Sequence, residues 1–387
     1  MTPALERDIL ERALKLAMGG DFAELAAMLI ATLERLSAGE ASRGFLGEAH
    51  DLVCRAILAA QDHSADAQET VRRIGRLSVD RYGRQPWSDL NEACLLHLAG
   101  AHDDAVALYR AAACEAHILS GLSNGCKTVV TLAEARELSS VDDADGIASR
   151  FSPMVIERIE APRGPLVVFV AADHAYLIKH GDRFFASVRE HGAGLPAHLH
   201  LVNPQPEDYA LIDSAMRADR WPALNLSTEV YDGLDQRAYF ASARLIRAPL
   251  LLDTYGRPLL ISDIDAVYQA AIAPTLPSLD SFDVGLFIKK DRFRANPWQT
   301  FPALVLMYAP TECGRRFCEA VARLTLQIFE RAQGNELWFI DQNMLYHIFL
   351  LARTDGWNLR TVDLGSPVTG LGLPGRICGA MGNENRA

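Results

Sequence analysis

Between Pro165 and Leu364 the chain alternates short runs of branched apolar residues with longer stretches of helical spacing. That alternation limits the possible folds more than any other feature. Leu166-Val167-Val168-Phe169-Val170-Ala171 reads as a buried strand, and Tyr176–His191 after it has helical periodicity. His198–Val202 and Leu224–Val230 are the next strand candidates, Tyr239–Leu252 the next helix, and Leu259-Leu260-Ile261 a further strand. Val284–Ile288 and Ala303–Tyr308 follow as strands, Arg315–Arg331 and Met344–Ala352 as helices. Strands this apolar need cover on both faces. Helices between them predict an α/β domain built on a mostly parallel, Rossmann-like sheet.

The first 150 residues have a different texture. Leu5, Ile9, Ala13 and Leu16 make one helical stripe, Phe22, Leu25, Leu29 and Leu33 another, with Gly19-Gly20-Asp21 as a stop and restart between them. Ala93–Ala112 reads as a helix, a tight turn at Gly100 and a second helix, like one tetratricopeptide (TPR) repeat. No clean 34-residue period runs through the region. The expectation is therefore an all-α, TPR-like domain over residues 1–150, with an unrelated helical bundle as the alternative. Either serves more often as a docking or dimerisation surface than as a site of chemistry. His97 and His102 are expected in packing and surface roles. The turn-rich Ser139–Gly146 and the breaker cluster Ala161–Pro165 bracket a connecting segment, Phe151–Glu160, and place the second domain over residues 151–387.

Bulk properties exclude several classes. A formal net charge of −11 argues against a general nucleic-acid or anionic-membrane binder. The seven cysteines include no CxxC pair and predict reduced, mostly buried thiols. MTPALERDILER lacks the apolar centre of a signal peptide, and no apolar run approaches the roughly 20 residues a membrane helix requires. A cytoplasmic protein with no membrane span is expected.

The most informative stretch is Leu259–Tyr268, LLISDIDAVY. An apolar strand ends in Ser262-Asp263-Ile264-Asp265. In extended backbone the two carboxylates point to one side, just beyond a strand's carboxyl end, where open α/β sheets bind ligands. Carboxylates so placed suit a hard cation such as Mg²⁺ or Mn²⁺, which usually brings a phosphate with it. The plainer alternative is a turn whose aspartate caps the next helix.

The order of motifs over Pro165–Leu364 resembles the GT-A fold of nucleotide-sugar glycosyltransferases, and is most similar to the family 8 retaining hexosyltransferases. Val168–Tyr176 (VFVAADHAY) resembles the family's opening strand and base-holding turn, which implies nucleotide contacts from Ala171, Asp173 and Tyr176. Asp173 has a helix N-cap as its alternative role. Ser242-Ala243-Arg244-Leu245 stands where the family often carries Tyr-x-Arg-Leu, so Arg244 is expected at the metal and diphosphate, or else as an ordinary surface arginine. Asp263-Ile264-Asp265 matches the family's D-x-D, which implies Mn²⁺ or Mg²⁺ held together with the donor's diphosphate. Phe339–Leu345 resembles the Asp-Gln segment beside the donor sugar, which casts Asp341 and Gln342 as the catalytic pair. Asp341 could equally be an N-cap.

The chain also departs from that pattern. The family's late histidine motif is absent: the last histidine is His347, inside a helical pattern. The Gly-rich Val368–Arg376 offers only Arg376 as a substitute phosphate contact. The resemblance implies a metal-dependent, retaining transfer of a hexose from a UDP-sugar. Lys289–Arg294, the densest basic run in an acidic chain, is expected to line the cleft with one or two of its cations or to lie in a solvated loop. An acceptor or protein partner would be held by the helical domain. The alternative is a catalytically inactive GT-A scaffold that binds a nucleotide or a partner. A nucleotidyltransferase is disfavoured because Ala171-Ala172-Asp173-His174 has neither glycine nor lysine for a phosphate loop. His198-x-His200 reads as one face of a strand rather than a metal site.

Overall fold

The computed structural model describes residues 1–36, 39–114, 121–140, 154–159, 164–272, 278, 280–288, 296–332, 337–364 and 377–379. The chain divides into two compact units, Met1–Leu132 with Lys290–Thr300, and Ala133–Lys289 with Phe301–Ala387. The division falls at Leu132 rather than near residue 150, and the first unit takes in a short stretch from late in the chain. Sequence texture misses such an excursion because composition is read along the chain, not through space.

The first unit is helical: α1 (Pro3–Gly19), α2 (Phe22–Arg35), α3 (Arg43–Ala60), α4 (Ala65–Tyr82), α5 (Pro86–Leu98) and α6 (His102–Ala113). Thr2, Ser42 and Ser64 cap α1, α3 and α4 by accepting from backbone N–H groups of the first turn. Gly20 and Gly100 adopt φ of +80° and +81° in the turns after α1 and α5, a conformation that costs glycine little. Helix α3 is central. It packs on α1, α2, α4 and α5 and buries Phe45, Ala49, Leu52, Val53 and Ile57. An Asp51–Arg55 ion pair lies within the same buried helix. His97 and His102 meet edge to face across the α5–α6 turn, 5.4 Å between ring centroids. Tyr109 donates to Asn296 Oδ1 (2.8 Å), and Trp298 packs edge-on to Tyr109.

The second unit is α/β. An eight-stranded sheet runs in the order β1-β4-β3-β2-β5-β8-β7-β9. Its strands are β1 (Val155–Arg158), β2 (Val167–Asp173), β3 (Ala197–Val202), β4 (Leu224–Glu229), β5 (Leu259–Ser262), β7 (Val284–Leu286), β8 (Val305–Tyr308) and β9 (Thr361–Asp363). A separate ribbon pairs β6 (Ala266–Tyr268) with β10 (Ile377–Gly379). The helices of this unit are α7 (Leu132–Ser140, which begins at the division between units), α8 (His174–His191), α9 (Pro206–Arg217), α10 (Gln236–Tyr255), α12 (Glu312–Arg331) and α13 (Ile340–Thr354). The short α11 (Pro297–Thr300) belongs to the helical unit.

The sheet is mixed, with six of its eight strands (β4, β3, β2, β5, β7 and β9) running one way, in line with the mostly parallel expectation. Strands β4, β3, β2 and β5 are parallel, whereas β8 runs antiparallel to both its neighbours and β1 runs antiparallel along β4. An apolar run reads the same in either direction, so strand sense was not available from pattern alone. One sheet face, with Leu166, Val168, Val170 and Ala172 of β2 and its approach, joins Leu177, Phe184, Phe185 and Val188 of α8 and Ile212 of α9 in the main core. The other face lies under α10 and carries His198 and His200, bridged by the Ser227 hydroxyl at 2.7 and 2.9 Å. Both histidines are fully buried and hydrogen-bonded, so His198-x-His200 marks one face of a strand, as its spacing indicated.

Candidate functional site

The chain runs outward from β2 through β3 to β4, then returns to the opposite side of β2 as β5. The order therefore reverses between β2 and β5, and a crevice opens beyond their carboxyl ends. A cleft of about 620 Å³ lies there. Its walls include Ala171 and Asp173 from the end of β2, Tyr176 from the first turn of α8, Arg237, Ser242 and Arg244 from α10, Asp263 and Asp265 after β5, Ala303 before β8, and Trp338, Phe339, Asp341 and Gln342 at the start of α13. Residues far apart in sequence thus meet in one cavity. Of the expected site residues, only Arg376 is not among those walls; it lies outside the described residues, as do Val368–Arg376 and Lys289–Arg294.

The aspartate pair is placed by a turn rather than by strand alternation. Strand β5 stops at Ser262, and Asp263 C=O accepts from Ala266 N (3.1 Å) while Asp263 N donates to Leu304 O (3.0 Å). Ile264 between them is 4% exposed and anchored in the main core. With its middle side chain drawn inward, the turn leaves both flanking carboxylates on the cleft wall.

Helix α10 brings in Arg244, which is 4% exposed. Its guanidinium pairs with Asp263, approaches Asp341 Oδ2 at 3.5 Å and donates to Ala303 O at 3.0 Å. Arg244 is thus the internal counter-charge of the carboxylate wall. That is a more committed position than either a surface residue or an open phosphate ligand. Arg247, one turn further along α10, donates from Nε to Glu229 Oε2 of β4 at 2.5 Å and ties the helix to the sheet. Burial pushes the Asp263 carboxyl up to about 7; Arg244 opposes the rise, and Asp265 and Asp341 reinforce it. Burial also raises Asp341, again against Arg244.

Asp173 accepts from Tyr176 N through Oδ1 (2.8 Å), so it does cap α8 while lining the cleft. Asp341 accepts from Gln342 N (2.8 Å) in the first turn of α13. Phe339, the residue before that helix, holds φ at +72°, an outlying conformation for a bulky aromatic. Asp235, with φ +44°, accepts from Ala238 N through Oδ1 and from Leu337 N through Oδ2. One carboxylate therefore clips together the starts of α10 and α13, and both open on the cleft. Asp235, Arg237 and Trp338 went unnoticed in the sequence. Their only local signals were an N-cap aspartate ahead of a helix and an aromatic pair ahead of Ile340-Asp341-Gln342.

The lining aspartates, Asp173, Asp263, Asp265 and Asp341, outnumber the lining arginines, Arg237 and Arg244, by two formal charges. This surplus fits a divalent cation. Among the described residues no three His, Cys, Asp or Glu side chains converge as a protein-only metal cage. Mg²⁺-like ions commonly take one or two carboxylates and complete their shell with substrate phosphates and water, and Asp263 and Asp265 are two carboxylates on the wall of one cleft. His347 is buried within α13.

No protein-family model matches the chain, and no curated protein does. Among solved structures, the apo structure of the bifunctional glycosyltransferase WbbM aligns at 14% identity and a TM-score of 0.34, over 50% of this chain and 39% of that one. The chain thus spans well under half of that protein, and a likeness of this degree carries no argument about its chemistry. No described helix is long and apolar enough to cross a membrane.

Proposed function

We propose that the cleft binds a nucleotide sugar, a UDP-hexose, and transfers the sugar with retention of configuration to an acceptor, with the help of Mn²⁺ or Mg²⁺. The observation that carries this reading is the meeting of Asp173, Arg244, Asp263, Asp265 and Asp341 in a single crevice at the point where strand order reverses. Ala171, Asp173 and Tyr176 would hold the base and ribose. Asp263 and Asp265 would hold the cation, which when bound neutralises charge developing on the departing diphosphate. Arg244 opposes the burial-driven rise of Asp263 and Asp341 and fixes both side chains, so that the cleft is preorganised before substrate arrives. Asp341 and Gln342 would face the anomeric carbon, where a carboxylate stabilises oxocarbenium-like charge. A TPR-like helical unit would hold the protein acceptor or partner.

The rival reading, an inactive scaffold, draws on Arg244. A cleft whose arginine is already engaged with two carboxylates can be closed on itself. UDP titration with Mn²⁺, followed by thermal shift and by UDP release from several UDP-sugars, separates the two. The transferase reading expects a rise in melting temperature and slow turnover, both lost in D265N. No shift and no turnover in the wild type would refute it in favour of the scaffold.

A further inference from the structure

We infer that Arg237, stacked on Trp338, is the side chain that grips the donor's diphosphate; the inference rests on the nucleotide-sugar reading above. The two arginines of the cleft differ in what they have left to offer. Arg244 directs its terminal nitrogens at Asp263, Asp341 and the Ala303 carbonyl. Arg237 is exposed, in the first turn of α10, and its guanidinium carbon lies 4.3 Å from the Trp338 ring centroid. Among the described residues no carboxylate pairs with it. Stacking occupies the flat face of a guanidinium and leaves its in-plane N–H donors free to fork onto phosphate oxygens. The indole also restricts the side chain's rotamers, so less freedom is lost on binding.

Location agrees with the role. Tyr176 on the facing wall lies within electrostatic reach of Arg237 and also of Asp265 and Asp173. Arg237 thus belongs to the part of the cleft where a nucleoside assigned to Asp173–Tyr176 meets a phosphate assigned to Asp263–Asp265. Two further donors on α10 call for acceptors in the same cavity. Ser242 Oγ and Arg244 Nε are buried without hydrogen-bond partners, in residues 0% and 4% exposed that line the cleft. Buried donors left unsatisfied are costly, and an oxygen-rich ligand would satisfy them. A diphosphate entering a wall of four aspartates needs positive charge beyond one divalent ion, and Arg237 is the uncommitted source among the described lining residues.

Isothermal titration of UDP, uridine and pyrophosphate, each with Mn²⁺, into wild type, R237Q, R237K and W338L tests this. R237Q should weaken UDP and pyrophosphate about 10- to 100-fold and leave uridine unchanged, as expected for loss of a charged hydrogen-bond pair. R237K should recover only part of the affinity, and W338L should show a smaller loss of the same kind. Unchanged UDP affinity in R237Q, or an equal loss for uridine, would overturn the assignment. Wild type binding pyrophosphate but not UDP would remove the nucleotide reading while leaving Arg237 to be judged on pyrophosphate. Binding of neither would overturn both.

Discussion

Replacing Arg244 by leucine tests whether it is the internal counter-ion of the cleft wall. Its guanidinium touches Asp263, lies 3.5 Å from Asp341 Oδ2 and donates to Ala303 O, and the side chain is 5% exposed. Removing one partner of a buried pair generally costs about 3–5 kcal/mol because an uncompensated charge stays behind. The lost bond to Ala303 O adds about 1 kcal/mol. Against this, the Asp263 side chain is 30% exposed and regains some hydration, so we expect about 3 kcal/mol for R244L. D263N removes one of the stranded charges. R244L/D263N should therefore be less destabilised than the sum of the single variants, with a coupling of about 1–2 kcal/mol. The deficit should also depend on pH. Asp263 titrates at about 7 with Arg244 in place, and higher without it. A carboxyl raised above its unfolded value favours the folded state while protonated and loses that advantage as pH rises through the folded value. The R244L deficit should therefore be small near pH 5, grow as pH rises above 7, and be clearly larger at pH 8. Urea unfolding followed by tryptophan fluorescence at both pH values reads all three quantities. Additive costs in the double variant, or a deficit independent of pH, would refute the counter-ion role.

Three further outcomes are expected. His50 is held down at about 4 by burial and by the Arg81 charge, so the folded helical unit binds fewer protons than the unfolded chain between pH 6.5 and 4. Its stability should fall by about 3 kcal/mol as pH drops through that window, and H50F should be much less sensitive in a urea-midpoint series. D235A removes the cap at Ala238 N and the tie to Leu337 N, and should cost about 1–2 kcal/mol and speed amide exchange at the starts of both α10 and α13. G125A would drive a methyl group into the Trp298 ring, which is 0% exposed, and should destabilise the helical unit by about 1–3 kcal/mol in thermal melts.

Much of the site was legible because it is written in short stretches. The Leu259–Ile261 run stops at Ser262, so the aspartates had to fall at a strand's end. Reading them as alternate residues of a strand was the wrong local geometry, because backbone bonding to Leu304 O and Ala266 N turns the chain at once. Asp173 as an N-cap was foreseeable from its place before α8. The partners of Arg244 were not, since Asp263, Ala303 and Asp341 arrive from three separate segments. Arg237 and Trp338 escaped notice for the same reason: neither is unusual beside its own neighbours, and only their stacking gives them meaning.

Periodicity, capping residues and apolar runs are properties of a few consecutive positions. From these the chain alone settles that helices come first, that an α/β unit follows, and that acidic residues close one of its strands. Strand direction, the return of Lys290–Thr300 to the helical unit and the ionic partners inside the cleft were decided only by the folded chain. Hydrogen bonding between strands and the Coulomb interaction both depend on distance in space, and a one-dimensional pattern does not encode that distance.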